Sequence, residues 1–260
     1  MLDGFSPAVR EWFAASFPEP TAPQAQGWPV IRAGAHALVC APTGTGKTLT
    51  AFLSSIDRLV VPGDDGGPDP AARTRVLYLS PLRALAVDVE KNLRAPLVGI
   101  GLAAERLGLP FAAPTVAMRT GDTTGRERQA MLRRPPDLLI TTPESLYLML
   151  TSEARHTLVN VETVIIDEIH AMASTKRGAH LMLSLERLEE ITARPPQRIG
   201  LSATQRPLEE IAHFLGGHAA DGSRRPVTIV DAGVRKPLEI EVVVPVDDRS
   251  EERRVGKECV

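Results

Sequence analysis

Seven short apolar runs punctuate the chain: "HALVCAP", "RVLYLSP", "TVAMRTG", "DLLITTP", "TVIIDE", "RIGLSAT" and "PVTIVDA". A strand with one wet face alternates apolar and polar residues, whereas these runs are apolar at almost every position, the pattern of strands covered on both faces. The segments between them have helical length and spacing, as in "PLRALAVDVEKNLRAPL" and "GAHLMLSLERLEEI". Buried strands alternating with helices predict an α/β domain on a mostly parallel sheet with helices on both faces. The stretch "PGDDGGPDPAART", residues 62 to 74, has no apolar period and predicts a surface loop. Residues 1–35 read as a helical region and 36–236 as the α/β domain. Residues 237–248, around "LEIEVVVPV", read as a strand and linker leaving it, and 249–260 as a charged tail with the look of a sequence artefact.

Composition narrows the picture only in places. With 260 residues, 43% of them apolar, the chain can fill a sizeable core. Its 30 basic and 32 acidic residues leave a net charge of −2, so any basic surface must be local. Cys40 and Cys259 lie far apart and outside any CxxC spacing, which argues against a disulfide framework or a zinc site and fits a reducing interior. The N-terminus carries Asp3, Arg10 and Glu11 where a signal peptide needs an apolar core, and no run approaches the ~18 apolar residues of a membrane span. A cytoplasmic location without membrane contact is expected.

The chemistry concentrates at two strand ends. In "APTGTGKT", Gly44 and Gly46 allow the positive-φ turn that points backbone N–H groups at phosphate oxygens, and the helix starting near Gly46 adds its N-terminal dipole. Thr43, Gly44, Thr45 and Gly46 would thus cradle the phosphates of ATP, Lys47 would reach the β- and γ-phosphates, and Thr48 would hold Mg²⁺. Ala41 stands where the usual pattern has its first glycine, which demands an ordinary φ there. In "TVIIDEIHAM", Asp167 and Glu168 end a strand at the carboxyl edge of the sheet. Asp167 would act on Mg²⁺ through its water, and Glu168 would polarise the attacking water. "LSAT" ends another strand, where small hydroxyls can hydrogen-bond the acid pair.

Read in order, "EPTAPQ", "APTGTGKT", "PLRALAVD", "TTPESL", "DEIH" and "LSAT" make the chain resemble the first RecA-like lobe of a superfamily 2 helicase of the DEAD/DEAH type. "STKRGAHLMLSLERL" with "RIGLSATQRPLEEIAHFLGG" is similar to the large helicase-related (Lhr) family. The resemblance implies that Gln24 reads the adenine edge, and that His170, with Ser202 and Thr204, links nucleotide state to strand movement. It also implies a nucleic-acid track formed by Arg83, by Thr120 and Gly121, and by Thr142, Glu144 and Ser145. Such contacts go mostly to the sugar-phosphate backbone, so net charge says little about them.

The resemblance further implies ATP-driven 3′ to 5′ movement on single-stranded DNA, with unwinding of DNA or RNA:DNA duplexes in DNA repair. RNA stays open as the tracking strand, as in an RNA helicase of the Ski2-like group. Motors of this kind place ATP between two lobes, and the second contributes arginine fingers worth ~10³ to 10⁵ in rate. Nothing after residue 246 resembles a second lobe, so this chain alone is expected to bind ATP with little turnover. Two rivals stand beside this reading. One is a truncated, non-catalytic module that binds nucleotide or strand; the other, a metabolic P-loop kinase, leaves the strand-tracking motifs unexplained.

Overall fold

The computed structural model describes residues 2–61, 70–203, 206–219 and 221–233. The remainder, including most of the 62 to 74 loop, Thr204, the "LEIEVVVPV" segment and the charged tail, lies outside the described residues. All seven apolar runs form strands: β1 (His36–Cys40), β2 (Val76–Leu79), β3 (Val116–Arg119), β4 (Leu138–Thr141), β5 (Thr163–Ile166), β6 (Gln197–Ser202) and β7 (Val227–Asp231). They join one sheet in the order β3-β4-β2-β5-β6-β1-β7, and every pairing is parallel.

The helices are α1 (Pro7–Ser16), α2 (Ala22–Arg32), α3 (Lys47–Val60), α4 (Arg83–Arg106), α5 (Gly125–Arg133), α6 (Pro143–Leu150), α7 (His170–Ala173), α8 (Lys176–Ile191) and α9 (Leu208–Gly216). Local chemistry starts several of them. Thr124 and Glu127 form a capping box on α5, and the hydroxyls of Thr142 and Thr175 accept N–H bonds at the starts of α6 and α8. Helix α4 runs past Pro96 to Arg106, longer than its "PLRALAVDVEKNLRAPL" pattern suggests. No described helix is long and apolar enough to cross a membrane.

Alternation along each strand sorts the core into two layers. Ala37, Val39, Val76, Tyr78, Ile140 and Ile165 face one side, packed with Trp12 and Phe13 of α1, Trp28 and Ile31 of α2, Phe52 and Ile56 of α3 and Ile100 of α4. Leu38, Cys40, Leu77, Leu79, Leu139 and Ile166 face the other, against Leu146 of α6, Met172 of α7, Leu181 and Leu185 of α8 and Leu215 of α9. Apolar residues on both strand faces therefore mean helices on both sheet faces. Because the sheet is parallel throughout, the carboxyl ends of all its strands share one rim.

Candidate functional site

Strand order divides that rim. The ends of β5, β6 and β1 lie side by side, so residues 167–168, 202 and 41–48 meet on one half. The ends of β2, β4 and β3 carry residues 80–83, 142–145 and 120–122 to the other half.

A cavity of about 800 Å³ opens on the first half. Its polar wall includes Thr43, Gly44, Gly46, Lys47, Thr48, Asp167 and Glu168 with Asp88 and Asn92 of α4, and its apolar wall includes Trp12 and Phe17, Phe52 of α3, and Leu85, Val89 and Leu93 of α4. Gly44 and Gly46 have φ of 78° and 85°, the left-handed conformations that the "TGTG" pattern requires, and Gly46 caps α3. Ala41 is buried and is not among the positive-φ residues, so alanine fits the start of this loop without strain. The Thr45 hydroxyl donates to Pro42 O at 2.7 Å, and the Thr21 hydroxyl donates to Thr45 O at 2.8 Å, which staples the loop to the start of α2.

Lys47 is 8% exposed, and its ammonium donates to the carbonyls of Ala41 and Pro42, the latter at 3.0 Å. Burial pulls its pKa below the usual lysine value, opposed by the charges of Glu168 and Asp167. Behind the loop, burial first and Asp231 second raise the Cys40 thiol to about 11, so it remains protonated and inert at neutral pH.

The acid pair follows β5 directly. Asp167 extends the ladder by one bond, its N–H donating to Leu79 O at 2.9 Å. Both of its carboxylate oxygens accept: Oδ1 from the Glu168 N–H at 3.0 Å and Oδ2 from the Tyr78 hydroxyl at 2.5 Å. Glu168 has φ of 46°, the one non-glycine positive φ among the described residues. That uncommon backbone turns the chain between β5 and α7 and sits where function stores strain. The Glu168 carboxylate lies 3.3 Å from Nε2 of His170, whose Nδ1 accepts the Ala203 N–H at 3.3 Å.

The contact between the acid motif and β6 therefore runs through His170 and through the Ile169 N–H, which donates to Leu201 O at 3.0 Å. The expected hydroxyl contact is different: Ser202 is buried and its Oγ donates to Ala203 O at 2.9 Å. A strand-end serine can bond its own turn at no cost in reach, and does so here. Gln24 is buried. Its Oε1 accepts the Thr21 N–H at 3.0 Å, and its amide sits against Gly46, where an added Cβ would come within 2.6 Å of Nε2. It thus supports the loop from behind and is not among the residues lining the cavity.

On the other half of the rim the expected track residues are brought together, but much of their polarity is already engaged. Thr142 and Ser145 are buried in the cap of α6, and Thr120 is buried with its N–H on Thr123 Oγ1 at 2.9 Å. Glu144 pairs with Arg177 of α8, and Arg83 pairs with Asp122. The Gly121 carbonyl accepts from Arg128 at 3.0 Å. Sequence reasoning missed Asp122, Arg128 and Arg177, which are dispersed in sequence, and also Tyr78, whose polar handle inside an apolar run was a usable signal.

A parallel α/β sheet with a Gly-rich phosphate loop after β1 and an acid pair on the same rim defines a RecA-like nucleotide-binding domain. The chain belongs to the DEAD/DEAH box helicase family, whose model matches residues 21–211. It is 57% identical over 95% of its length to the Lhr helicase of Mycolicibacterium smegmatis, of which it covers 16%, and 46% identical over 93% to the ATP-dependent helicase Lhr-Core of Methanothermobacter thermautotrophicus, of which it covers 28%. A solved structure of Mycobacterium smegmatis helicase Lhr bound to ssDNA and AMP-PNP superposes with a TM-score of 0.81 at 58% identity, over 88% of this chain and 28% of that one. The chain thus spans less than a third of the length of these relatives.

Proposed function

We propose that this chain is the first, nucleotide-binding lobe of an ATP-dependent helicase of the Lhr type that moves 3′ to 5′ along single-stranded nucleic acid, DNA in preference to RNA. The observation that carries this is the convergence of residues 43–48 and 167–168 on one cavity. Backbone N–H groups of Gly44 to Thr48, at the N-terminus of α3, cradle the β- and γ-phosphates, and Lys47 exchanges its bonds to Ala41 and Pro42 for phosphate oxygens. Glu168 orients the attacking water, with His170 beside it to hold its carboxylate.

Thr48 and Asp167 suit Mg²⁺: both are hard oxygen donors on the same cavity, and Mg²⁺ is held in such sites by one or two carboxylates completed by phosphate oxygens and water. The ion would neutralise charge on the β- and γ-phosphates. Gln24 contributes by fixing the loop at Gly46, next to the adenine-reading role its motif suggests. Arg83, Thr120, Gly121, Thr142, Glu144 and Ser145 offer the strand a row of turns and helix starts on the adjoining half of the rim. The ssDNA in the solved Lhr complex supports DNA as the strand. His170 and the Ile169 backbone couple the acid pair to β6 and "LSAT".

Lys47 is the one cationic side chain among the described residues lining the cavity. Charge spread over the transferring phosphoryl group needs more than that, so turnover by the chain alone is slow by about the 10³ to 10⁵ that an added arginine supplies. The test is binding of AMP-PNP with Mg²⁺ to the 260-residue chain and to Lys47→Ala, followed by affinity for oligo-dT against oligo-U. Tenfold or greater loss of nucleotide affinity on substitution, with oligo-dT preferred, is the expected result. Equal nucleotide affinity in the two proteins removes the site assignment, and preference for oligo-U removes the DNA assignment.

A further inference from the structure

Tyr78 sits at the third position of β2, next to β5 in the sheet, and is fully buried. Its ring stacks on Phe52 of α3 with centroids 5.0 Å apart and an interplanar angle of 26°, and Phe52 in turn lines the nucleotide cavity. Packing needs only the ring. A phenylalanine would fill the same space without the cost of burying a hydroxyl, so the oxygen is retained for what it bonds. It bonds one group, Oδ2 of Asp167, at 2.5 Å. The other oxygen of that carboxylate accepts the Glu168 N–H at 3.0 Å. Each carboxylate oxygen of Asp167 thus has its own donor, one from the adjoining backbone and one from β2.

Resting on the Mg·ATP reading given above, we propose that Tyr78 is a positioning residue for the metal acid: its hydroxyl holds the Asp167 carboxylate in the orientation that meets magnesium-bound water. It touches neither nucleotide nor metal and acts only through Asp167. Partners of this outer kind typically set about 10- to 100-fold of metal affinity. The Phe52 stack also ties the same phenol to a residue of the cavity wall.

The experiment compares the 260-residue chain with Tyr78→Phe, which keeps the stack and removes the oxygen. Affinity for fluorescent N-methylanthraniloyl-ATP is measured in Mg²⁺ and in EDTA. We expect about a tenfold drop in the gain that Mg²⁺ confers, with affinity in EDTA unchanged. A gain equal within about twofold in the two proteins overturns the proposal, since a merely structural hydroxyl would alter both conditions alike or neither. Absence of any Mg²⁺ gain in the unsubstituted chain overturns the underlying Mg·ATP reading, and this inference with it.

A second measurement needs no substitution at Tyr78. The chain has 2 tyrosines, and Tyr147 packs against His180 with its ring tilted and is not among the residues lining the cavity. With 3-fluorotyrosine incorporated and the signals assigned through Tyr147→Phe, adding Mg²⁺ to the nucleotide-bound chain should move the Tyr78 resonance while Tyr147 stays in place. A stationary Tyr78 resonance overturns the proposal.

Discussion

Removing the guanidinium of Arg198 should destabilise the fold without touching the nucleotide site. Arg198 is 2% exposed in its side chain and donates to Glu186 at 3.0 Å, to Glu189 at 2.9 Å and to the Gly216 carbonyl at 3.2 Å. Arg225 spans the same two glutamates at 2.9 and 2.8 Å and the same carbonyl at 3.0 Å. The two arginines and two glutamates balance, and they join α8, β6, the end of α9 and the approach to β7. In Arg198→Met the packing volume is largely kept, and the bonds to Glu186 and Glu189, at ~1.5–3 kcal/mol each, are lost together with the bond to the Gly216 carbonyl. Arg225 still serves both acids, so the cost falls at the low end of the ~3–5 kcal/mol expected for breaking a buried pair, about 3 kcal/mol. For a domain of this size that lowers Tm by about 6–12 °C.

Urea unfolding followed by circular dichroism measures it, and the double variant Arg198→Met with Glu189→Leu, which restores charge balance, should recover most of the loss. Nucleotide affinity should not change, because Arg198 lies four residues down β6 from Ser202, roughly 13 Å at ~3.3 Å per residue. A loss under about 1 kcal/mol in the single variant would mean that the cluster behaves as a solvated surface network, and the reasoning would fail.

Two further outcomes are expected. His36 accepts the Arg198 N–H on Nδ1 at 3.0 Å, which requires the neutral ring, and burial together with Arg198 and Arg225 lowers its pKa from 6.5. As pH falls through 6.5 the unfolded state takes up this proton before the folded one does, so stability is full above that pH and declines below it. His36→Gln should flatten the difference in urea midpoint between pH 7.5 and 5.5; an unchanged difference would assign the slope to other groups. On the strand half of the rim, Arg83→Ala should reduce the slope of log affinity for oligo-dT against log salt by about 0.7, the loss of one phosphate contact, while Asp122→Asn, which releases Arg83 from its partner, should tighten binding. An unaltered slope in Arg83→Ala would take Arg83 off the phosphate track.

Local patterns were enough to locate the strands, the phosphate loop and the acid pair. A strand buried on both faces leaves an unbroken apolar run, a phosphate loop needs glycine where φ is positive, and an acid at a strand end is visible in the text itself. Gly44 and Gly46 adopt the angles their spacing demands, and each of the seven apolar runs became a strand. The end of α4 was less legible, because the helical pattern in the text fades after Leu97 while packing of Ile100, Ala103 and Ala104 carries the helix on to Arg106.

What the sequence by itself determined is the set of elements and the chemistry at each strand end, since those depend on residues a few positions apart. Only the tertiary structure decided which ends adjoin. Parallel strands are joined by crossovers of a dozen or more residues, so pairing is set by how helices pack on the sheet and leaves no short-range mark. The order β3-β4-β2-β5-β6-β1-β7 put residues 43–48 beside 167–168, set β2 against β5 so that the Tyr78 phenol reaches Asp167, and brought Trp12 and Phe17 to the same cavity. It also turned Gln24 toward Gly46 and committed Thr142 and Ser145 to a helix cap, because a buried polar group bonds whatever donor or acceptor the packing brings within reach.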